Sequence, residues 1–450
     1  MIWLWILLAL AVTLFLLKDK NIEPHNFIWA LLPIDKYGIS VLGFIVKPIY
    51  LFSVIVVFFT VISKKFRLKL PPTALLSTML FCIFVVLSTL LKNTVDILLE
   101  FRMYGMFIFT IICAAAILSN IKGADDLRQI QDVMIATAVG YGIVFVTLYA
   151  LYNMGISLPD VVDSDLYANS IFNSYRNVAN GELFQTLRLR GFFMDSNTSN
   201  IVFIVGLIAL LGKWVKNGGF AKNALCFVVI MTNIILSSSR TALVTSTIFI
   251  VLSVFRMIFS KTQSRKKIIF LSILLFGLFF ASTILLYGNN SIGNIYNNLA
   301  SRYTNRSSLN DTYGRFTIWK QSLGLLFETN WYAGIGTGAL QTIMDVERDS
   351  HNTVIEAFCS LGVFAGLYYT IYFLTPLVNS IKMRFTTFKK SKYLSTLIFM
   401  YIGILIMLTS VSNLTNTYLI HIALLLTIIP GCVADEEEKN SISESQEIIS

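Results

Sequence analysis

Residues 72–91 read PTALLSTMLFCIFVVLSTLL, an apolar stretch without a charged side chain. A helix needs about 20 such residues to cross the hydrocarbon core of a bilayer. Of the 450 residues, 56% are hydrophobic and 13% are charged. Soluble domains carry roughly a quarter of charged residues. The sequence therefore predicts a polytopic membrane protein and argues against a soluble fold.

Similar apolar blocks on both sides of this stretch predict an all-α integral membrane protein with about twelve transmembrane helices. The predicted spans are 2–17, 38–62, 72–91, 101–119, 133–152, 196–212, 222–238, 241–258, 268–287, 351–375, 394–412 and 416–433. The first block has no basic start and no clear cleavage site, which favours a membrane helix over a removed signal. We expect residues 1–433 to form a single polytopic membrane domain and residues 434–450 an acidic cytoplasmic tail.

Basic residues set the predicted orientation, because short cytoplasmic loops of membrane proteins are rich in lysine and arginine. The basic loops lie at 64–69, 213–222, 256–267 and 382–392. All of them fall on one side of the predicted spans, and both termini then share that side. Lys18 and Lys20 disagree, since they follow the first span on its outer side. The formal charge of +10 thus reflects orientation in the bilayer, and no nucleic-acid partner is expected.

Two long segments, about 153–195 and 288–350, are predicted to be large loops on the outer face of the membrane. Loops longer than about 15 residues are usually functional or disordered. The second loop contains large apolar residues at helical spacing, which predicts an amphipathic helix on the membrane surface. These residues are Phe316, Trp319, Leu323, Leu326 and Phe327.

Ionisable and amide side chains gather at the outer ends of the predicted spans. They are Arg190, Asn197, Arg240, Arg315, His351, Asn352 and Glu356, with Lys47 somewhat deeper. Ionisable groups at membrane depth are costly, which makes them functional candidates. The alternative for each arginine is that it extends toward lipid headgroups, and His351 could simply begin a helix. Lys47 could extend outward or pair with a carboxylate.

Several arginines at one level of the membrane suit a diphosphate, because a planar guanidinium gives two donors to phosphate oxygens. If the diphosphate is a leaving group, fixed cations stabilise the charge that grows on it. His351 could accept a proton from an attacking sugar hydroxyl. These roles predict an inverting transfer with Arg315 and His351 as catalytic residues, without a metal or another cofactor.

Two other motifs compete with this interpretation. Asp163-Ser164-Asp165 has the spacing of a metal-binding DxD element, although an acidic patch in water also explains it. Gly334-Ile335-Gly336-Thr337-Gly338 could cradle a phosphate through backbone amides, although a tight turn also explains it.

The candidate residues fall in short stretches that follow one another along the chain. These are RGFFMDSN at 190–197, SSSRTAL at 237–243, Gly314-Arg315 followed by Trp319 and the glycines at 334–338, and His351-Asn352 followed by Gly362. Together they resemble the O-antigen polymerase and O-antigen ligase superfamily of bacterial envelopes. The resemblance covers about residues 190–366 and includes the N-terminal half only in its general helix layout.

The resemblance implies a glycan donor linked to undecaprenyl diphosphate. It assigns Arg190, Arg240 and Arg315 to the donor diphosphate and His351 to the acceptor hydroxyl. It also implies a multi-pass protein of the bacterial inner membrane whose active site faces the periplasm. A separate polysaccharide co-polymerase would regulate the chain length.

The favoured function is a polymerase that moves a growing glycan to a lipid-linked repeat unit of O-antigen or capsule. Ala365 stands where the family pattern usually has glycine, threonine or tyrosine, which weakens an assignment to the ligase branch. An O-antigen ligase acting on lipid A-core remains the close alternative, because both branches share the motifs. A transporter or flippase for lipid-linked sugar is the other, although the sequence lacks the repeated halves typical of transporters.

Overall fold

The structure is a computed structural model of the chain. It describes residues 2–41, 44–63, 68–91, 97–163, 170–179, 182–193, 195–217, 220–258, 315–336, 351–385, 392–411 and 413–429. The predicted span 268–287 and the predicted acidic tail 434–450 lie outside the described residues. So does most of the second long loop, except for its part at 315–336.

The described part of the chain is mostly helical, and each predicted span within it overlaps a helix. The helices α1 to α13 are Ile2–Leu17, Ile28–Leu31, Pro48–Ile62, Pro72–Leu91, Ile97–Leu118, Ala124–Asn153, Ser196–Asn217, Phe220–Leu236, Arg240–Ile258, Arg315–Thr329, Thr353–Phe385, Lys392–Leu408 and Thr417–Ile429. Among the described residues, 5 helices are long and apolar enough to cross a membrane. The chain is therefore a multi-pass membrane protein, and the number of about twelve spans stays a prediction.

The mostly helical fold agrees with the prediction, but two small sheets were not predicted. Strands β1 (Ile39–Val41) and β2 (Phe44–Val46) form a hairpin where the second span was expected to begin. The helix α3 begins only at Pro48, because proline suits the first position of a helix and holds the residue before it extended. Lys47 accordingly has extended backbone angles.

The first long loop contains a sheet. Strands β3 (Val162–Asp163), β4 (Phe172–Ala179) and β5 (Glu182–Leu189) pair in that order, and β4 and β5 are antiparallel. Ala179 pairs with Glu182, so the two residues between them are Asn180-Gly181. Asn-Gly is the strongest short signal for a two-residue hairpin, and the sequence prediction missed it.

The chain divides into two compact units. The first unit comprises Met1–Asn21 and Gln131–Gly314, and the second comprises Ile22–Ile130 and Arg315–Ser450. Helices α1, α7, α8 and α9 and the sheet β3–β5 belong to the first unit, as does most of α6. Helices α2 to α5 and α10 to α13 belong to the second.

In the first unit, α1 runs antiparallel to α6. The backbone N–H of Ile2 donates to Asp160 Oδ2 at 2.9 Å, just beyond the end of α6. At the other end, Lys20 Nζ lies 2.8 Å from Asp132 Oδ2, and Lys213 Nζ also contacts Asp132. Lys20 therefore lies at the same end as Lys213, which belongs to a basic loop predicted to be cytoplasmic. The first span runs opposite to the predicted direction, and this removes the conflict posed by Lys18 and Lys20.

In the second unit, residues 22–47 begin at the basic end. Asn26 Nδ2 donates to Asp126 Oδ1 at 3.0 Å, at the start of α6. Lys69 of a basic loop donates to the carbonyl of Ile121 at 2.8 Å, just before the same helix. The start of this segment therefore lies at the level of a predicted cytoplasmic loop.

The segment ends at the opposite end of α3. Lys47 precedes α3, whereas the basic loop at 64–69 follows it. Between these levels the chain forms short helical turns in which Trp29 and Leu32 are fully buried. Irregular backbone is tolerated at membrane depth when protein surrounds it. Residues 22–47 thus reverse the direction of the chain, so that α3 still ends at its basic loop.

We expect the N-terminus to face the periplasm. In a variant whose native cysteines are replaced by serine, a cysteine added before Met1 should react with a membrane-impermeant maleimide in intact spheroplasts. A cysteine at Lys18 should react only after the membrane is permeabilised. The opposite pattern of labelling would contradict the direction of α1.

Candidate functional site

Arg190 is held in place by the end of the sheet and by an aromatic cluster. The backbone N–H groups of Arg190 and Gly191 donate to the carbonyl of Ile171 at 2.8 and 3.0 Å. Gly191 has a φ of +62°, and a Cβ there would lie 3.1 Å from the ring of Phe145. Phe192 is buried, with its ring centre 5.0 Å from that of Phe145. The arginine-glycine-aromatic motif therefore packs this turn, and Arg190 itself is only 3% exposed.

Asn197 connects the start of α7 to the start of α9. Asp195 Oδ2 accepts from the backbone N–H groups of Asn197 and Thr198 at 2.9 and 3.2 Å, which caps α7. The Oδ1 atom of Asn197 accepts a hydrogen bond from Ser239 Oγ at 2.6 Å. Because Ser239 directly precedes Arg240, this bond positions the first residue of α9.

The turn before Arg240 is strained and well connected. Ser238 has a φ of +51°, which is uncommon for a residue other than glycine. Asn200 Nδ2 donates to Ser237 Oγ at 2.7 Å, and Arg188 Nε donates to the carbonyl of Ser237 at 2.9 Å. Arg188 was not among the site residues predicted from the sequence. Its spacing of two from Arg190 at the end of a strand was the available signal.

His351 and Asn352 form the start of α11. The Oδ1 atom of Asn352 accepts from the backbone N–H groups of Val354 and Ile355 at 2.9 and 3.2 Å. Such caps contribute about 1 kcal/mol to helix stability. His351 has a φ of +51°, so the chain enters the helix through a left-handed residue. Asn352 thus has a structural role in the motif, because it caps α11. His351 stands two residues before the first residue of that helix.

Glu356 lies one turn further along α11. It is 5% exposed, and its Oε1 atom accepts from Ser360 Oγ at 2.9 Å. Its backbone N–H donates to the carbonyl of Asn352 at 2.9 Å. Glu356 is therefore a buried carboxyl group close in sequence and structure to the His351 end of the helix.

The glycine-rich stretch forms a turn against a break in α11. Gly362 interrupts the helix with φ 82° and ψ 171°. A Cβ at Gly334 would lie 2.5 Å from the Gly362 nitrogen. The backbone N–H of Ile335 donates to the carbonyl of Cys359 at 2.8 Å, and that of Gly334 also donates to a backbone carbonyl. These two amides are already used within the protein, which favours the turn over a phosphate cradle.

Arg315 is the first residue of α10, and nothing is described of its side chain. A helix is present where the amphipathic helix was predicted, and its place on the membrane surface stays a prediction. Ile318 and Leu326 are buried, whereas Phe316 and Phe327 are 80% and 63% exposed. The predicted apolar face is therefore divided between the protein interior and the surroundings.

Lys47 pairs with a carboxylate, as one of its two predicted alternatives requires. Its Nζ lies 3.0 Å from Asp35 Oδ2, and the side chains are 13% and 14% exposed. The pair joins the loop after α2 to the start of α3. This ion pair explains why a lysine is buried here without assigning it to the functional site. A supporting role of Lys47 in the site stays a prediction.

Lys47→Met is expected to lower the free energy of unfolding by about 3–5 kcal/mol, since it leaves the buried Asp35 carboxyl group unpaired. The double variant Asp35→Leu/Lys47→Met should recover most of this stability, as measured by thermal unfolding in detergent. A double variant that is stable but inactive would show that Lys47 acts in the reaction and would contradict the purely structural role.

A cavity of about 520 Å³ lies in the second unit, with Thr78, Lys382 and Thr427 in its lining. Lys382 stands near the end of α11, whereas His351 precedes its start. The cavity is therefore at the other end of that helix and does not include the candidate residues of this unit.

The candidate residues belong to both units. Arg190, Asn197 and Arg240 lie in the first unit, where hydrogen bonds connect the segments that carry them. The second unit holds Arg315, His351, Asn352, Glu356 and Lys47. Of these, Asn352 and Glu356 are linked directly to the start of α11. A single site that combines both sets stays a prediction.

These features define a multi-pass membrane protein whose polar candidate residues cluster at the starts of helices. A protein-family model described as O-antigen ligase matches residues 224–370, which include Arg240, Arg315 and His351. This match supports the resemblance of the sequence motifs to the O-antigen polymerase and ligase superfamily. The match does not separate the polymerase branch from the ligase branch. No curated protein that was compared with the chain matches it.

Proposed function

We propose that the chain is a polymerase of lipid-linked polysaccharide repeat units. It transfers a glycan from undecaprenyl diphosphate to a second lipid-linked unit, on the periplasmic side of the bacterial inner membrane. The family match over 224–370 carries the proposed glycosyltransferase activity, together with Arg240 at the start of α9 and His351 just before α11. Ala365, which departs from the family pattern, favours the polymerase branch.

In the proposed reaction, Arg190, Arg240 and Arg315 bind the donor diphosphate. The acceptor sugar hydroxyl attacks the anomeric carbon, and His351 takes its proton. The bond between that carbon and the diphosphate oxygen breaks, so the lipid diphosphate leaves with the electron pair and the configuration is inverted. Guanidinium groups stabilise the departing charge more strongly than the bound donor, which accelerates the step. No metal is needed for this balance.

The supporting residues act through these groups. Asn197 holds Ser239 beside Arg240, and Asn352 caps the helix that follows His351. Glu356 is a buried carboxyl group on the same helix, where it would stabilise a histidine that has taken up a proton. The expected partners are the lipid-linked oligosaccharide, the bilayer and a co-polymerase that sets chain length.

O-antigen ligase is the second candidate, because the matching family model carries that description. Both activities use the same donor and differ in the acceptor, which is a lipid-linked unit for the polymerase and lipid A-core for the ligase. A deletion strain distinguishes them. Loss of a polymerase leaves single repeat units on the cell surface, whereas loss of a ligase leaves finished polymer on its carrier.

Reconstitution tests the activity directly. Purified protein in liposomes with defined lipid-linked repeat units should give longer glycans on a gel, without ATP or an ion gradient. Movement of lipid-linked units across the bilayer without any change in glycan size would mean that the protein is a transporter and not a polymerase. Extension that occurs only on added lipid A-core would assign the chain to the ligases.

A further inference from the structure

Arg188 lies beside the turn that carries the second arginine motif. It is the next-to-last residue of β5 and pairs with Asn173 of β4. Its Nε donates to the carbonyl of Ser237 at 2.9 Å, three residues before Arg240. Arg190 follows two residues later, directly after the same strand. The strand therefore brings a further guanidinium group to the stretch at 237–240, and all of these residues belong to the first unit.

The bond to Ser237 uses one of the donors of the Arg188 side chain. An arginine side chain has five N–H donors arranged in a planar fork. Among the residues that the structure describes, this guanidinium makes no other hydrogen bond, and no carboxylate pairs with it. The side chain is partly buried. A partly buried cation that lacks a counter-charge is costly, and an anionic ligand would remove that cost.

The bond also fixes the direction of the guanidinium group. Nε is held by the Ser237 carbonyl, and the Nη nitrogens have no hydrogen-bond partner among the described residues. Two parallel N–H donors on one edge suit two oxygens of a phosphate. A fixed guanidinium loses less rotational freedom on binding than a mobile one, which favours a ligand-binding role.

We propose that Arg188 is a further diphosphate-binding residue of this enzyme. Its Nη groups donate to oxygens of the donor diphosphate while Nε remains bonded to Ser237. The inference rests on the proposed function, since the anion is the diphosphate of the lipid-linked donor. The competing explanation is that Arg188 only holds the turn before Arg240.

Two substitutions separate binding from a purely structural role. The side-chain amide of Arg188→Gln can still donate to the Ser237 carbonyl, but it carries no charge. Arg188→Met removes both the charge and the hydrogen bond. Arg128→Gln is the matched control, because Arg128 is an exposed arginine on another part of the chain.

The probe is undecaprenyl diphosphate, with binding measured on purified protein in nanodiscs and with the KM for the lipid-linked donor measured in parallel. Arg188→Gln should weaken binding and raise the KM by about tenfold or more, because charge-assisted hydrogen bonds to phosphate are lost. Its melting temperature should stay close to that of the unchanged protein. Arg128→Gln should change none of these quantities.

Full binding by Arg188→Gln together with weak binding by Arg188→Met would mean that the residue only supports the turn, and would overturn the inference. Arg240→Ala measured in the same assay keeps the two proposals separate. If Arg240→Ala weakens binding and Arg188→Gln does not, the inference on Arg188 fails alone. If the unchanged protein does not bind the diphosphate lipid, the proposed function fails.

Discussion

Cells whose only copy of this protein carries His351→Ala are expected to make single repeat units and no polymer, with an unchanged amount of protein in the membrane. Under the proposed mechanism the imidazole takes the proton of the acceptor hydroxyl. Losing a general base slows such a step by about 10²–10⁴-fold. The glycan ladder on a gel and an immunoblot of the membrane fraction measure the two quantities.

The unusual backbone conformation of His351 requires a control variant that preserves it. Its φ of +51° is left-handed, and asparagine adopts this conformation more readily than alanine. His351→Asn should therefore preserve the entry into α11 and still make no polymer. Normal polymer in both variants would remove His351 from the site, whereas loss in the alanine variant alone would point to a backbone effect.

Replacement of Arg315 is also expected to abolish polymer, because its positive charge is proposed to bind the donor diphosphate. Arg315→Ala should abolish polymer without loss of protein. Arg315→Lys should fail as well, because an ammonium group does not offer the paired donors of a guanidinium. Full activity of both Arg315→Ala and His351→Ala would end the assignment of the catalytic residues.

The largest expected effect on stability comes from Gly362→Ala. Gly362 has φ 82° and ψ 171°, a backbone conformation that is essentially confined to glycine and costs other residues about 1–3 kcal/mol. A Cβ at this position would also stand 2.3 Å from the carbonyl oxygen of Tyr332. Since that contact is with backbone, the break in α11 and the turn against it must shift. We expect a greatly reduced yield of folded protein and a lower melting temperature in detergent.

Gly324→Ala is the control for this substitution. Gly324 lies within α10, and a Cβ there would meet nothing within 4 Å. Alanine in a helix is about 1 kcal/mol more favourable than glycine, so this variant should melt at the same or a slightly higher temperature. Equal stability of the two alanine variants would contradict the packing of the turn at Gly334 against Gly362.

Much of the helical layout could be predicted because it depends on local sequence. A run such as 72–91 is long and apolar enough to specify a membrane helix whatever surrounds it, and the helix there has the predicted bounds. The starts of α9 and α11 could also be predicted, since polar residues at Arg240 and at His351-Asn352 stand just before apolar sequence. The hairpin β4–β5 was not predicted, although Asn180-Gly181 is a strong sequence signal for a two-residue turn.

The roles of individual polar residues were less predictable. Asn352 and Lys47 looked alike in sequence as polar groups near membrane helices. In the structure, Asn352 caps α11 and Lys47 pairs with Asp35, two contacts that depend on exact backbone placement. Arg188 was not noticed, because its contact with Ser237 joins segments that are far apart in the chain.

The sequence by itself determined that this protein crosses the membrane repeatedly and that its arginine and histidine motifs stand at helix starts. Both properties follow from local composition, because a bilayer selects apolar runs of sufficient length and excludes charge from them. The tertiary structure alone decided the direction of α1 and the contact of Arg188. Lys20 and Lys213 share Asp132, and Arg188 bonds to Ser237, across separations along the chain that no local pattern encodes.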